Sequence, residues 1–320
     1  VDVYNHTKQF SIKNRTKMTD TKTLTSDHTI LTRELPEYTG ESVTELKVDI
    51  VNADTLDTSI SMKTDGYKNP LVLNMASYAV PGGGVAKGAG AQEECIFRRT
   101  NSFRFINNQL NNKYGDPLYP FDKNIEVKWS KGKLDRKTDF KTPTNDNGGT
   151  FFMYTPNVTV FKDQEYNMIP EEDWQIIDLI SVSGIYKPRP VVDKKTGYEY
   201  LWDADAKRLA IKIQCVLHTA MLKGHDSLVL GALGCGAYRN PPYHVAEIFG
   251  EIIEEMHEQL MDHGVKRICF AVLCYGYDEE DDPEMEVENN YTIFKSALER
   301  TFVRKVEEKV EEKVEEKVEE

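Results

Sequence analysis

Residues 71 to 94, LVLNMASYAVPGGGVAKGAGAQEE, constrain this chain more than any other stretch. Leu71 to Asn74 is a short apolar run between Pro70 and a turn cluster, which predicts a buried strand. Pro81, Gly82, Gly83, Gly84, Gly88 and Gly90 follow, and such a segment can be neither helix nor strand. Glycine lets backbone N–H groups turn toward a ligand with no side chain in the way, so a loop of this kind can cradle a diphosphate through oriented amides. Gln92, Glu93 and Glu94 stand directly after it and open a helical run from Cys95 to Phe105. The expected order is strand, glycine loop, acidic pair, helix. The acidic pair also has a purely structural reading, because carboxylates are favoured at a helix start.

The remaining chain predicts strands alternating with helices over 46–300, a three-layer α/β arrangement. LKVDIV at Leu46 to Val51 alternates as a strand does, and Asn52 to Thr55 carry turn and cap chemistry, with Asp54 the expected N-cap of a short helix through Ile60. The helix begun near Glu94 is expected to run on to Leu110. Phe151–Tyr154 and Val158–Phe161 read as two short strands about a Thr-Pro-Asn turn, and Trp174–Ser183 as a buried strand. Asp203–Leu222 has apolar residues at helical spacing and Gly224 as its stop. Ser227–Gly231 reads as a strand that opens a second glycine loop, GALGCGAY; an amphipathic helix over Val245–Leu260, a strand over Arg267–Tyr275 and a last helix over Asn289–Leu298 follow.

Residues 1–45 read as a partly ordered N-terminal arm, 46–302 as the domain, and 303–320, a Val-Glu-Glu-Lys repeat, as a low-complexity tail. The polar stretch 111–149, with a lysine-rich patch from Lys123 to Lys141, reads as an insertion. A formal net charge of −13 argues against broad nucleic-acid binding. No apolar run is long enough to span a membrane, and the first residues lack the apolar stretch of a secretion signal, so an intracellular location, cytoplasmic or nuclear, and no membrane partner are expected. The five cysteines form no CxxC pair, and the seven histidines form neither HExxH nor a Cys/His cluster. Free thiols, no metal and no cofactor are expected. No Walker-type lysine follows either glycine loop, which disfavours an NTPase.

The strings NxAS…PGGGVxxGAxAQEE and, at 228–249, LVLGALGCGAYRNPPYHVAEIF resemble the two ligand loops of the microbial-type poly(ADP-ribose) glycohydrolases, in that family's order. The resemblance implies a macrodomain, a mixed sheet between helical layers with ligand at the strand ends. It implies hydrolysis of the ribose–ribose bond to release ADP-ribose from poly(ADP-ribose) or another ADP-ribosylated macromolecule, by a monomer engaged in reversing ADP-ribosylation in the DNA damage response. By matching position, Glu94 would be the general acid and base, and Glu93 would hold ribose hydroxyls. Asn74, Gly82, Gly83, Gly84, Val85 and Gln92 from the first loop, with Gly234, Cys235, Gly236, Ala237 and Tyr238 from the second, would bind substrate. Tyr238 stands where the family more often has Phe, and Leu233 where it has an aromatic.

Each residue also has a plainer reading. Adjacent glutamates do not face each other across a bond as paired glycosidase carboxylates do, and alone they would be solvated acids at a helix start. Asn74 can be a turn residue, Tyr238 a core aromatic, and Cys95 and Cys235 small packing residues. A single ADP-ribose as substrate is the near alternative. A non-catalytic ADP-ribose reader, which has no need of two glutamates, is the alternative of another class. An interaction protein tethered by its acidic tail is the third.

Overall fold

A computed structural model describes residues 1–19, 21–26, 28–106, 129–130, 133–134, 152–274 and 288–302. Most of the lysine-rich patch Lys123–Lys141, the acidic loop up to residue 287 and the tail 303–320 lie outside these residues. The labelled elements are α1 (Asp2–Lys13), β1 (Leu24–Ser26), β2 (Lys47–Val51), α2 (Thr55–Thr64), β3 (Pro70–Met75), α3 (Gln92–Arg99), β4 (Phe152–Val160), β5 (Gln175–Val182), α4 (Asp203–Lys223), β6 (Ser227–Leu230), α5 (Pro242–Glu255), α6 (His257–Asp262), β7 (Arg267–Ala271) and a last helix, α7, over 290–302.

One seven-stranded sheet runs β1-β4-β5-β3-β6-β7-β2. The five strands from β5 to β2 are parallel, while β4 pairs antiparallel with β5, and β1 with β4. The residue pattern predicts the α/β alternation, and the mixed macrodomain sheet is what the resemblance implies. Strand periodicity divides the core in two. Leu71, Leu73, Leu228, Leu230, Ile268 and Phe270 face the layer of α4, α5 and α7. Val72, Leu179 and Ile177 face Leu56 of α2 and Ile96 and Phe97 of α3. Helix α4 stops where Gly224 adopts φ +70°, its N–H on the Met221 carbonyl and that of His225 on Ala220. Among the described residues, no helix is long and apolar enough to cross a membrane.

Three expectations are corrected. The two strands expected about the Thr-Pro-Asn turn are one strand, β4, whose register shifts between Thr155 and Val158, with Asn157 at φ +57° and its N–H on Asp178. The helix expected to run from near Glu94 to Leu110 ends at Arg99, because Thr100 is extended (φ −129°) and bridges to Val160; residues 107–110 lie outside the described residues. The helix expected over Val245–Leu260 is two, α5 and α6, divided at Met256. The N-terminal arm contributes α1, which lies against α3: the Thr7 hydroxyl donates to the Arg98 carbonyl at 2.6 Å, and Tyr4 is buried in the same apolar cluster as Phe97.

Asp54 caps α2 as expected, accepting from the N–H groups of Leu56 and Asp57. It also meets Arg99, which is 1% exposed and bonds Asp54 at 2.6 Å, Asp57 and the Lys162 carbonyl. This guanidinium ties α2 to α3 and so fixes the helix that carries the acidic pair. Replacing Arg99 with Met leaves two carboxylates without their cation, and the expected loss is about 3 kcal/mol of unfolding free energy. Urea denaturation checks it; a loss under about 1 kcal/mol would mean that the pair is dispensable.

Candidate active site

Strands β5, β3 and β6 are adjacent and parallel, so the loops after them emerge together at the carboxyl end of the sheet, where open α/β sheets bind ligands. The loop after β3 crosses over the start of α3. Gly82 (φ +72°) and Gly83 (φ +54°) turn the backbone back on itself in the left-handed region. This turn aims the Gly82 N–H at Glu93 Oε1 (3.1 Å) and the Gly84 N–H at Glu94 Oε1 (2.7 Å). Ser77 N–H donates to Glu93 Oε2 at 2.7 Å. In this conformation the glycine loop cradles the protein's own carboxylates where a diphosphate cradle was expected. A Cβ built on Gly83 lies 2.5 Å from Glu94 Oε1, which is why that position has none.

Both glutamates are buried, Glu93 at 3% and Glu94 at 7% exposure, so neither is the solvated acid of the plainer reading. Burial pushes the Glu93 carboxyl up to about 8, the Glu94 charge adding to it and the Ser77 and Gly82 N–H bonds opposing it. An acid whose folded value is raised binds its proton more tightly folded than unfolded. Its stabilising contribution is therefore full below the ordinary glutamate range near pH 4.5 and is lost as pH rises through about 8. Thermal midpoints of wild type and Glu93→Gln between pH 5 and 9 check this. Wild type is expected to fall more steeply than the variant toward the alkaline end, and parallel curves would contradict it.

Gln92 turns inward: its amide donates to the Leu73 carbonyl (2.6 Å) and accepts from Met75 N–H (2.9 Å), pinning the start of α3 to the end of β3. Asn74 is fully buried in the middle of the sheet and donates to Ser181 Oγ at 3.0 Å, so it is not a turn residue. Among the described residues its Oδ1 has no hydrogen-bond partner. Val85 is 2% exposed, and its side chain belongs to the apolar cluster.

The second loop lies beside the first. Gly184 and Gly234 (φ +78°) pack so closely that a Cβ on Gly184 would lie 2.7 Å from the Gly234 Cα, and one on Gly234 would lie 2.8 Å from the Asn240 amide nitrogen. Asn240 holds this junction: its amide donates to the carbonyls of Ile185 (2.6 Å) and Gly234 (3.2 Å), and its Oδ1 accepts from Ile185 N–H. Gly236 and Ala237 are exposed at the loop's tip. The Cys235 thiol is raised by burial, which suits packing rather than nucleophilic attack. Cys95 points away from the pair, toward the Tyr166 hydroxyl at 3.3 Å.

Tyr238 is half-buried and meets Tyr78 and Tyr186, with ring centroids 6.1 and 5.1 Å away. Sequence reasoning missed Tyr78 and Tyr186, whose only signal is an aromatic shortly past a strand end. Among the described residues, no group of three or more His, Cys, Asp and Glu side chains could hold a metal ion.

A family model, the microbial-type PARG catalytic domain, matches residues 3–163. No curated protein matches the chain. Among solved structures, poly(ADP-ribose) glycohydrolase (PARG) from Thermomonospora curvata superposes with a TM-score of 0.56 at 19% identity, over 94% of this chain and 89% of its own. The enzyme from Deinococcus radiodurans in complex with ADP-ribose gives 0.56 at 18% identity, over 91% and 96%. At these identities the structural likeness speaks for the fold, and the family match, which spans α3 and both its glutamates, speaks for the class. The chain belongs to the microbial-type poly(ADP-ribose) glycohydrolase family, glycoside hydrolases acting on poly(ADP-ribose).

Proposed function

We propose that this chain hydrolyses the ribose–ribose O-glycosidic bond of poly(ADP-ribose) and releases ADP-ribose, with Glu94 as general acid and then general base. The observation that carries the reading is the pair of buried carboxylates held under the glycine loop at the strand ends. Glu94 protonates the leaving ribose oxygen as the bond breaks. The ribose it leaves has oxocarbenium character, which the substrate's own diphosphate stabilises. The Glu94 carboxylate then takes a proton from the attacking water, and microscopic reversibility is kept. Both Glu93 oxygens are engaged by backbone N–H groups. Each keeps a further lone pair, which suits Glu93 to orienting ribose hydroxyls.

The first loop's Gly82 and Gly84 N–H groups are already used, so the diphosphate falls to the backbone of Gly234, Gly236 and Ala237, with Tyr238 against the proximal ribose. Gln92 and Asn74 hold the pair from beneath, and Gly82, Gly83, Gly84 and Val85 form its roof. The N-terminal 45 residues, through α1, work as part of the catalytic unit. The Deinococcus radiodurans relative is known in complex with ADP-ribose, which fits ADP-ribose as product. The two glutamates also favour catalysis over a reader, which needs only affinity.

The test is release of free ADP-ribose from poly(ADP-ribose) by the full chain, with ADP-ribose binding measured by calorimetry. Binding with release is expected. Binding without release would favour the reader or a singly ADP-ribosylated substrate, and the absence of both binding and release would sink the assignment.

A further inference from the structure

Tyr238 is the hub at which the loops after β3, β5 and β6 meet. Its carbonyl accepts from Lys187 N–H at 3.0 Å, which ties it to the loop after β5. Its hydroxyl accepts from Tyr78 N–H at 2.8 Å, which ties it to the loop after β3. Ser77 stands directly before Tyr78 in the chain. Ser77 is the residue whose N–H holds Glu93 Oε2 at 2.7 Å, and whose Oγ accepts from Ala79 and Val80 N–H at 3.3 Å each. The hydroxyl is therefore bonded to the residue next to Ser77, in the segment that anchors the acidic pair. The three rings, Tyr78, Tyr186 and Tyr238, pack within 4.9 to 6.1 Å of one another, so the hydroxyl is held in place by the ring cluster.

We propose that the Tyr238 hydroxyl is a positioning group: it latches the loop after β3 to the second glycine loop and so holds Glu93 and Glu94 in register for turnover. The latch rests on the glycohydrolase reading above only for its consequence in turnover. A phenylalanine would keep the ring and its packing, and would remove one acceptor. Tyr78 N–H then has no protein acceptor, the 76–80 segment opens more often, and each opening breaks the Ser77 bond to Glu93. The substrate contacts of the ring and of the second loop's backbone are untouched. The loss therefore falls on the chemical step, where small displacements of reacting groups are costly.

The experiment compares wild type with Tyr238→Phe in the full chain, by hydrogen–deuterium exchange of peptides covering 76–84 and by kcat and KM for ADP-ribose release from poly(ADP-ribose). Exchange is expected to quicken about tenfold in that segment. With it, kcat falls about tenfold, while KM and the ADP-ribose Kd stay within about twofold. Unchanged exchange overturns the latch. Faster exchange with unchanged kcat, or a loss confined to KM, overturns the positioning role. If wild type itself released no ADP-ribose, the glycohydrolase reading would fail, while the exchange arm would still decide the latch.

Discussion

Glu94→Gln is expected to lower kcat for ADP-ribose release by about a thousandfold, the scale of a lost general acid and base. ADP-ribose affinity measured by calorimetry should stay within about threefold, since binding groups are spared. The substitution separates chemistry from structure because glutamine keeps an oxygen that can accept the Gly84 N–H now bonded to Glu94 Oε1 at 2.7 Å. The loop should therefore stay closed while proton transfer is lost. Glu93 is the rival acid, since burial keeps its carboxyl protonated up to about pH 8. Both its oxygens, however, are engaged by the N–H groups of Ser77 and Gly82, whereas among the described residues only Oε1 of Glu94 is engaged. Glu93→Gln should therefore raise KM and cost less in kcat. A larger kcat loss in Glu93→Gln than in Glu94→Gln would exchange the two roles.

The parts legible in the sequence were those set by local chemistry. Asp54 reads as a cap because cap chemistry is a matter of neighbouring residues, and it is one. Gly224 reads as a helix stop for the same reason. The two glycine loops are legible as motifs that each follow a strand, and the structure adds that those strands, β3 and β6, lie side by side. What stayed hidden depends on partners distant in the chain. Arg99 has no local signal of its role, yet its charge is buried between Asp54 and Asp57. Thr100 ends α3 because Val160 is there to pair with it. Tyr238 read as a ring, and its hydroxyl acquired a purpose only once Tyr78 was placed beside it. From its residue types the glycine loop reads as open to a phosphate, since nothing in them says that Glu93 and Glu94 reach back to occupy its amides.

Gly83→Ala turns that last point into a measurement. Gly83 is at φ +54°, so alanine there carries a backbone cost of about 1 kcal/mol. Its Cβ would also stand 2.5 Å from Glu94 Oε1 and 3.1 Å from Glu93 Oε2. Those atoms end flexible side chains, so the clash is relieved cheaply, by Glu94 swinging out of its bond to Gly84. The fold survives and the reacting group is lost, and turnover is expected to fall about a hundredfold or more with a stability loss near the backbone cost alone. Gly66→Ala is the matched control, at φ +101° with nothing within 4 Å of the added Cβ and far from the acidic pair in the chain. It should lose comparable stability and keep wild-type turnover. Gly82→Ala gives the opposite contrast, because its Cβ would strike the buried Phe97 ring at 2.6 Å, which belongs to the core and cannot swing away. There, stability should fall well beyond the Gly66→Ala value. If Gly83→Ala kept full activity, Glu94 would not need the position in which the glycine loop holds it, and the acid would have to be sought elsewhere in the site.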